Sequence, residues 1–287
     1  NLVKNNLGLI VDFLIRNRNF SPETNLLVSV GSPPEEILGL SNTTERRLSQ
    51  LVTTNEYLTG IYVPTTLYDF IFKLLTPGVE PTIPQICLQN TAAARTSIAS
   101  GEEKTANTAG NDKRLILQGT AVFHKNKKIG VFNEYESRGL RWLNSKTKTS
   151  GILIITSPFN SGNYTILEIL RFSSDTRPHV NGNRIKMKIK INVRLALDEN
   201  TSDIEPITPA DLKKMEQAAD QEISSQVSSC IRKSQKLHSD VLGWGLLLLQ
   251  YKPDTWKQVK EDWDNIFPQV EYDVQAKTSI IHTYLNN

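Results

Sequence analysis

Metal and thiol chemistry is thinly supplied in this 287-residue chain, which holds two cysteines and four histidines. His124, His179, His238 and His282 form no close pair with one another or with Cys87 or Cys230, so no zinc-type ligand spacing exists. The two cysteines lie far apart and allow a disulfide, two buried thiols or one of each. Burial as small hydrophobes is the plainest of these readings. An excess of one charge is also missing. The formal net charge of +3 is too small, over this length, to imply nucleic acid by itself. The longest strongly apolar stretch, Val241–Leu249, is about half of the roughly 20 residues that a bilayer span needs. The opening residues lack the charged, apolar and small-residue order of a signal peptide, and the first residue is Asn, so a preceding segment is expected.

Catalytic signatures are absent as well. There is no Gly-x-Ser-x-Gly elbow, no phosphate loop ending in Gly-Lys-Ser/Thr and no His-Glu-x-x-His. Gly31 and Gly60 stand alone, and Gly243-Trp-Gly245 continues into Leu rather than a third glycine, which leaves a dinucleotide site unsupported. Glu35-Glu36 and Glu102-Glu103 are neighbours in sequence, whereas acid–base catalysis needs two carboxylates converging on a substrate. These absences read as a non-enzymatic protein with no cofactor and no metal. The sequons at Asn42, Asn163 and Asn200 are no more than an Asn- and Thr-rich chain supplies by chance.

What is present is patterned. Residues 1–92 mix helix and strand signals: an amphipathic helix through Leu7–Ile15, a β-favouring run Thr24–Val30, helices over Thr43–Leu58 and Thr65–Leu75, and a strand near Ile83–Leu88. Residues 93–112 are rich in Ala, Thr, Ser, Gly and charge, a composition for a linker or a mobile loop. Residues 113–287 form the more legible unit. Gly119–His124 and Lys128–Phe132 flank a polar Lys125-Asn-Lys127 hairpin, and a helix follows over Asn133–Leu143 with Asn133 as N-cap. Strands are expected over Gly151–Ser157 and Tyr164–Phe172, joined by the Asn160–Asn163 turn cluster.

The clearest period runs from Ile185 to Leu197. Apolar side chains take every second position, and Lys186, Lys188, Lys190, Asn192 and Arg194 sit between them, one face dry and one basic. Val270–Lys277 repeats the alternation with Glu271 and Asp273 on its wet face, so adjacency of the two strands would set lysine beside carboxylate. Between them Thr208-Pro-Ala-Asp211 opens a long helix whose stripe continues towards Val241, and a last helix is expected over Thr255–Phe267. The fold class is α+β, multi-domain, with largely antiparallel sheets and helices packed on one face. The basic face is a candidate anionic surface formed by Lys186, Lys188, Lys190 and Arg194. No aromatic lies among these residues to stack bases, so no nucleic acid is expected.

Several of these elements together carry a resemblance. Ala121-Val-Phe123, Lys125, Gly130, Glu134, Glu136-Ser-Arg-Gly139 and Trp142-Leu143 resemble the hairpin–helix signature of the spore germinant receptor C subunits, the Ger(x)C lipoproteins of the GerAC and GerBC type. Asp240-Val-Leu-Gly243-Trp-Gly245 and Pro253, Trp256-Lys257, Trp263 and Phe267 are similar to two later marks of that family. Asp12–Arg16 and Gly31-Ser32 resemble its N-terminal region more loosely, and Trp244 stands where Phe is commoner. The resemblance implies a subunit lipid-anchored to the outer face of the inner spore membrane, through an N-terminal cysteine absent from this chain. It also implies membrane-spanning A and B subunits as partners and a role in the response to nutrients. Glu134, Arg138, Gly139, Trp142, Asp240, Gly243, Trp244, Gly245 and Trp256 are its candidate interface or structural residues, with Arg138 expected to pair with Glu134 one turn away. Two other roles stay open: direct capture of an amino acid, sugar or nucleoside germinant, and docking on an anionic surface.

Overall fold

The computed structural model describes residue 13 and residues 21–39, 60–90, 113–144, 151–160, 162–182, 184–201 and 207–283. The helices expected over Leu7–Ile15 and Thr43–Leu58, and residues 93–112, lie outside the described residues, Phe13 excepted.

Two four-stranded sheets organise the described chain. The first orders β1 (Val28–Ser29), β2 (Thr82–Asn90), β3 (Lys113–His124) and β4 (Lys127–Phe132) side by side. β1 and β2 are parallel, and the other pairs are antiparallel. Most of the β-favouring run from Thr24 stays out of the sheet, because Asn25 instead bridges to Thr66 and Leu26 donates to the Thr65 carbonyl. After the short helix α1 (Pro34–Leu38), α2 (Leu67–Leu75) starts at Thr66, whose side chain caps the Asp69 N–H. It presses Phe70 edge-on against Phe123, with ring centroids 5.5 Å apart. β3 begins at Lys113, earlier than the hairpin signal alone indicates, and pairs with β2 along its length. Residue 113 therefore lies inside this sheet rather than between the two sheets.

The β3–β4 hairpin closes on Lys125 and Asn126, with Lys125 at positive φ. Helix α3 (Glu134–Leu143) follows directly. Asn133 and Glu136 form a reciprocal capping box, so two backbone N–H groups at its start are satisfied locally.

The second sheet orders β5 (Ile152–Thr156), β6 (Tyr164–Asn181), β7 (Arg184–Asn200) and β8 (Glu271–Thr283). β6 runs well beyond the Phe172 expected from sequence, through Pro178. β5 flanks β6 only over Tyr164–Glu168, so at Pro178 one edge of β6 is open and the missing N–H breaks no ladder there. β7 and β8 are neighbours, and parallel: Lys186 lies opposite Glu271 and Lys188 opposite Asp273.

A parallel pair requires a long crossover, which the helices provide. α4 (Pro209–Lys236) opens with the Thr208–Asp211 capping box and lays Met215, Ala219, Ile223, Val227 and Ile231 on the dry face of the sheet. It ends sooner than its apolar stripe suggests, because His238 takes a left-handed conformation (φ 51°). Then come α5 (Trp244–Tyr251), α6 (Pro253–Val259) and α7 (Trp263–Ile266). The single helix expected over Thr255–Phe267 is thus broken by a 3-10 turn at Lys260–Asp262, where Trp256 and Trp263 meet edge to face at 5.6 Å. Carboxylates of α4 also guard the outer edge of β8. Asp220 accepts from Thr278 N at 2.6 Å and Glu216 from Ile280 N at 2.8 Å, occupying donors that a free edge would offer to another strand. Cys87 and Cys230 are both free and buried, as small hydrophobes.

Candidate functional site

The signature residues gather at two places, and at both the local chain explains the geometry. The first is the crossing of α3 and α4. Trp142 is fully buried, and its indole N–H donates to Gln226 Oε1 at 2.8 Å; Gln226 in turn donates to Glu222. The Trp142 ring packs edge to face on Phe172, with centroids 4.9 Å apart. Gly139 lets the helices approach so closely that a Cβ there would lie 2.2 Å from the Gln226 carbonyl oxygen. Arg138 reaches back to the Ile152 carbonyl of β5. Burial lowers its pKa, opposed by the carboxylates of Glu222 and Glu134. Glu134 is exposed, with Tyr62 Oη 3.4 Å from its carboxylate. The neighbouring Arg141 received no attention from the sequence, yet it is fully buried with its guanidinium 5.3 Å over Phe172.

The second place is a knot around Asp240. Its carboxylate accepts from Trp244 N at 3.0 Å, from Gly245 N at 2.8 Å and from Trp263 Nε1 at 2.9 Å. The Asp-x-x-Gly-Trp-Gly spacing explains this. Gly243 takes the left-handed conformation (φ 70°) just before α5, which turns the first helical N–H groups onto the aspartate. Gly245 then permits backbone-to-backbone contact with Gly78: a Cβ on Gly245 would lie 2.5 Å from Gly78 Cα. Leu246 N donates to Gly78 O, and Glu80 N to Asp240 O, so the segment leading into β2 is tied to the helices over the second sheet. Trp244 and Trp256 are buried beside this knot.

Three residues that sequence reading did not connect complete it. His124 Nδ1 lies 3.3 Å from Glu80 Oε1, and Nε2 lies 3.5 Å from Asp264 Oδ2. Contact with Glu80 raises the His124 pKa, and burial pushes the Asp240 carboxyl up to about 7. Both folded-state values lie above the unfolded ones, so both groups hold protons more tightly in the folded chain. Their stabilisation is complete below the unfolded pKa, roughly 4 for Asp and 6.5 for His. It is lost as pH rises through the folded values. The urea midpoint is therefore expected to fall as pH rises from about 4 to about 7 through Asp240 and to go on falling above about 6.5 through His124, and His124→Gln is expected to remove that upper part. A midpoint that rises over the same range would refute this account.

The basic residues of β7 lie apart from both places. Lys188, Lys190 and Arg194 are exposed on the open face of the second sheet, and Lys186 is half-buried there. Among the described residues, no group of three or more His, Cys, Asp or Glu side chains is placed to hold a metal ion, and no helix is long and apolar enough to cross a membrane.

Two family models match this chain in order: "Spore germination protein N-terminal domain" over residues 1–88, and "Spore germination B3/ GerAC like, C-terminal" over residues 118–284. The chain belongs to the GerAC-like family of spore germination proteins. Curated spore germination proteins are similar to it. Spore germination protein KC of Bacillus subtilis (strain 168) is 23% identical over 98% of this chain and 69% of its own length. Spore germination protein YndF of the same organism is 28% identical over 57% of this chain and 41% of its own length. The fold matches the crystal structure of the GerBC protein with a TM-score of 0.72 at 16% identity, over 98% of this chain and 76% of that one. The signature residues of both places fall where this GerAC-like chain matches the C-terminal family model, while Tyr62, Gly78 and Glu80, which meet them, fall in the stretch matched by the N-terminal one.

Proposed function

We propose that this chain serves as the C subunit of a nutrient germinant receptor, acting by contact with membrane-spanning A and B subunits rather than by catalysis. Its place would be the outer face of the inner spore membrane, with a lipid anchor on a segment ahead of Asn1. The observation that carries this reading is the ordered match of two germination-family models along one chain. The use of the signature side chains supports it. Asp240, Trp142 and Trp263 spend their polar atoms inside the chain, and Arg138 is tied to β5, an economy suited to holding a rigid shape for a partner.

The surface offered to such a partner includes the outer stripe of α2. Tyr68, Phe72 and Leu75 are 60%, 46% and 69% exposed at helical spacing, and an apolar stripe of this kind favours a protein contact. Detergent-solubilised A and B subunits are expected to capture the chain with or without germinant, and Phe72→Glu with Leu75→Glu to weaken that capture at least tenfold. That loss corresponds to about 1.4 kcal/mol. Capture unchanged in the double variant would remove α2 from the interface; no capture of the parent chain would sink the assembly role.

One observation favours direct germinant binding as a second reading. Gln85 is buried, its Nε2 has no hydrogen-bond partner, and it lines a depression of about 670 Å³ with Gln118, Glu134 and Tyr135. A buried donor without a partner, in a depression that a carboxylate also lines, suits a small polar ligand. Saturable binding of an amino acid, sugar or nucleoside that Gln85→Leu abolishes would move this reading to first place.

A further inference from the structure

Charge on the open face of the second sheet is unevenly matched. The cross-strand rows of β6, β7 and β8 show this directly. His179–Lys186–Glu271, Arg177–Lys188–Asp273 and Asp175–Lys190–Gln275 each set a cation beside a carboxylate. Arg177 is further engaged, bonded to Asp175 at 2.9 Å and lying 4.4 Å over the Tyr251 ring. The lysines that make the stripe conspicuous in the sequence therefore have anionic neighbours in the fold.

The next two rows do not. They read Ser173–Asn192–Lys277 and Arg171–Arg194–Ser279, three cations with no carboxylate. Arg171 stands directly opposite Arg194 because the β6 register shifts at Leu170, and like charges placed opposite one another destabilise a strand pair. Neither guanidinium has an ion-pair or hydrogen-bond partner among the described residues. Glu168 lies one row further along and makes no ion pair with them, and Asp220 beside Lys277 is already bonded to Thr278 N. The six side chains of the two rows line one depression of about 420 Å³. From the row of Glu168 onward the same face turns apolar: Ile152, opposite Glu168, and Ile154 on β5 are 38% and 56% exposed, and Tyr164 on β6 is 45% exposed.

We propose that this corner of the sheet binds the phosphate of an anionic phospholipid headgroup, with Arg171, Arg194 and Lys277 as its cationic ligands. Three cations exceed what one carboxylate neutralises. A phosphate offers several acceptor oxygens, which match the fork of an arginine and the hydroxyl and amide donors of Ser173, Asn192 and Ser279. Exposed isoleucines beside the cations select a ligand that joins phosphate to hydrocarbon at a bilayer surface. This inference stands apart from the receptor reading, since it needs neither A nor B.

The test is co-sedimentation of the chain with vesicles of phosphatidylglycerol and phosphatidylcholine in equal parts, against pure phosphatidylcholine. Arg171→Gln with Arg194→Gln is expected to lower binding about thirtyfold, at about fivefold per basic residue near an anionic surface. Lys186→Gln with Lys188→Gln removes the same formal charge from the matched rows and is expected to change binding by less than about threefold. Ile154→Ser is expected to weaken vesicle binding while leaving any retention of inorganic phosphate unchanged. Equal losses in the two double variants would mean diffuse attraction and overturn the site. Failure of the parent chain to bind the anionic vesicles would overturn it too, and saturation by inorganic phosphate without vesicle binding would transfer the site to free phosphate. All five positions are on the open sheet face, so thermal melting of each variant serves as a folding control.

Discussion

Asp240→Ala is expected to lower the free energy of unfolding by about 3–9 kcal/mol, because three donors lose their acceptor at once and each stranded buried donor costs about 1–3 kcal/mol. The donors are Trp244 N, Gly245 N and Trp263 Nε1. None can turn to water, since Trp244 and Trp263 are buried and Gly245 sits against Gly78. Against a total of roughly 5–15 kcal/mol for a typical domain, the loss leaves the chain at the edge of folding. Urea denaturation followed by far-UV circular dichroism measures it. Should the alanine variant be too unstable to purify, Asp240→Asn provides the graded version. It keeps one acceptor but sets an NH₂ group among N–H donors, so a substantial loss remains while the pH dependence assigned to Asp240 disappears. A midpoint within experimental scatter of the parent would show that the carboxylate does not hold the knot.

Gly139→Ala is expected to reverse the usual helix rule. In an exposed helix interior, Ala is more stable than Gly by about 1 kcal/mol. Here the added Cβ would meet the Gln226 carbonyl oxygen at 2.2 Å and Cys230 Cβ at 2.7 Å. Backbone cannot move aside as a flexible side chain can, so α3 and α4 must separate, and overpacking of this kind costs about 1–3 kcal/mol or more. Separation also strains the Trp142–Gln226 hydrogen bond and the edge-to-face contact of Trp142 with Phe172. The expected result is a destabilised chain with a weakened near-UV signal from Trp142. A gain in stability would mean that the crossing is looser than the structure places it.

These two residues show what was legible and what was not. Gly139 and Asp240 both stood out in the sequence, as parts of motifs, but their roles were hidden. Gly139 answers to Gln226 on another helix, and Asp240 receives one of its bonds from Trp263, beyond α5 and α6. The resemblance flagged both positions without a contact to explain either. His124, Glu80 and Asp264 were not flagged at all, because no local pattern marks a contact between a hairpin, a segment before a strand and a helix. The lysine stripe was legible as a face, and so was its pairing with Glu271 and Asp273 once the two strands are neighbours; the meeting of Arg171 with Arg194 was not. A register shift in β6 decides that Arg171 faces Arg194, while the parallel register of β8 on β7 sets Lys186 and Lys188 beside carboxylates.

By itself the sequence determined what is decided over a few neighbouring residues. The N-cap at Asn133, the capping box at Thr208, the hairpin at Lys125-Asn126, the alternation of β7 and the apolar stripe of α4 are of that kind. Side chains there act on backbone groups one turn or one pleat away, so spacing suffices. Only the tertiary structure decided that β8 runs parallel to β7, that β6 extends past Pro178, that α4 stops at Lys236, and which charges lie together. Those outcomes depend on strand register, on which edge of a strand is open, and on close packing between elements distant in the chain. A shift of one residue in a strand changes every such neighbour while the local sequence pattern stays the same.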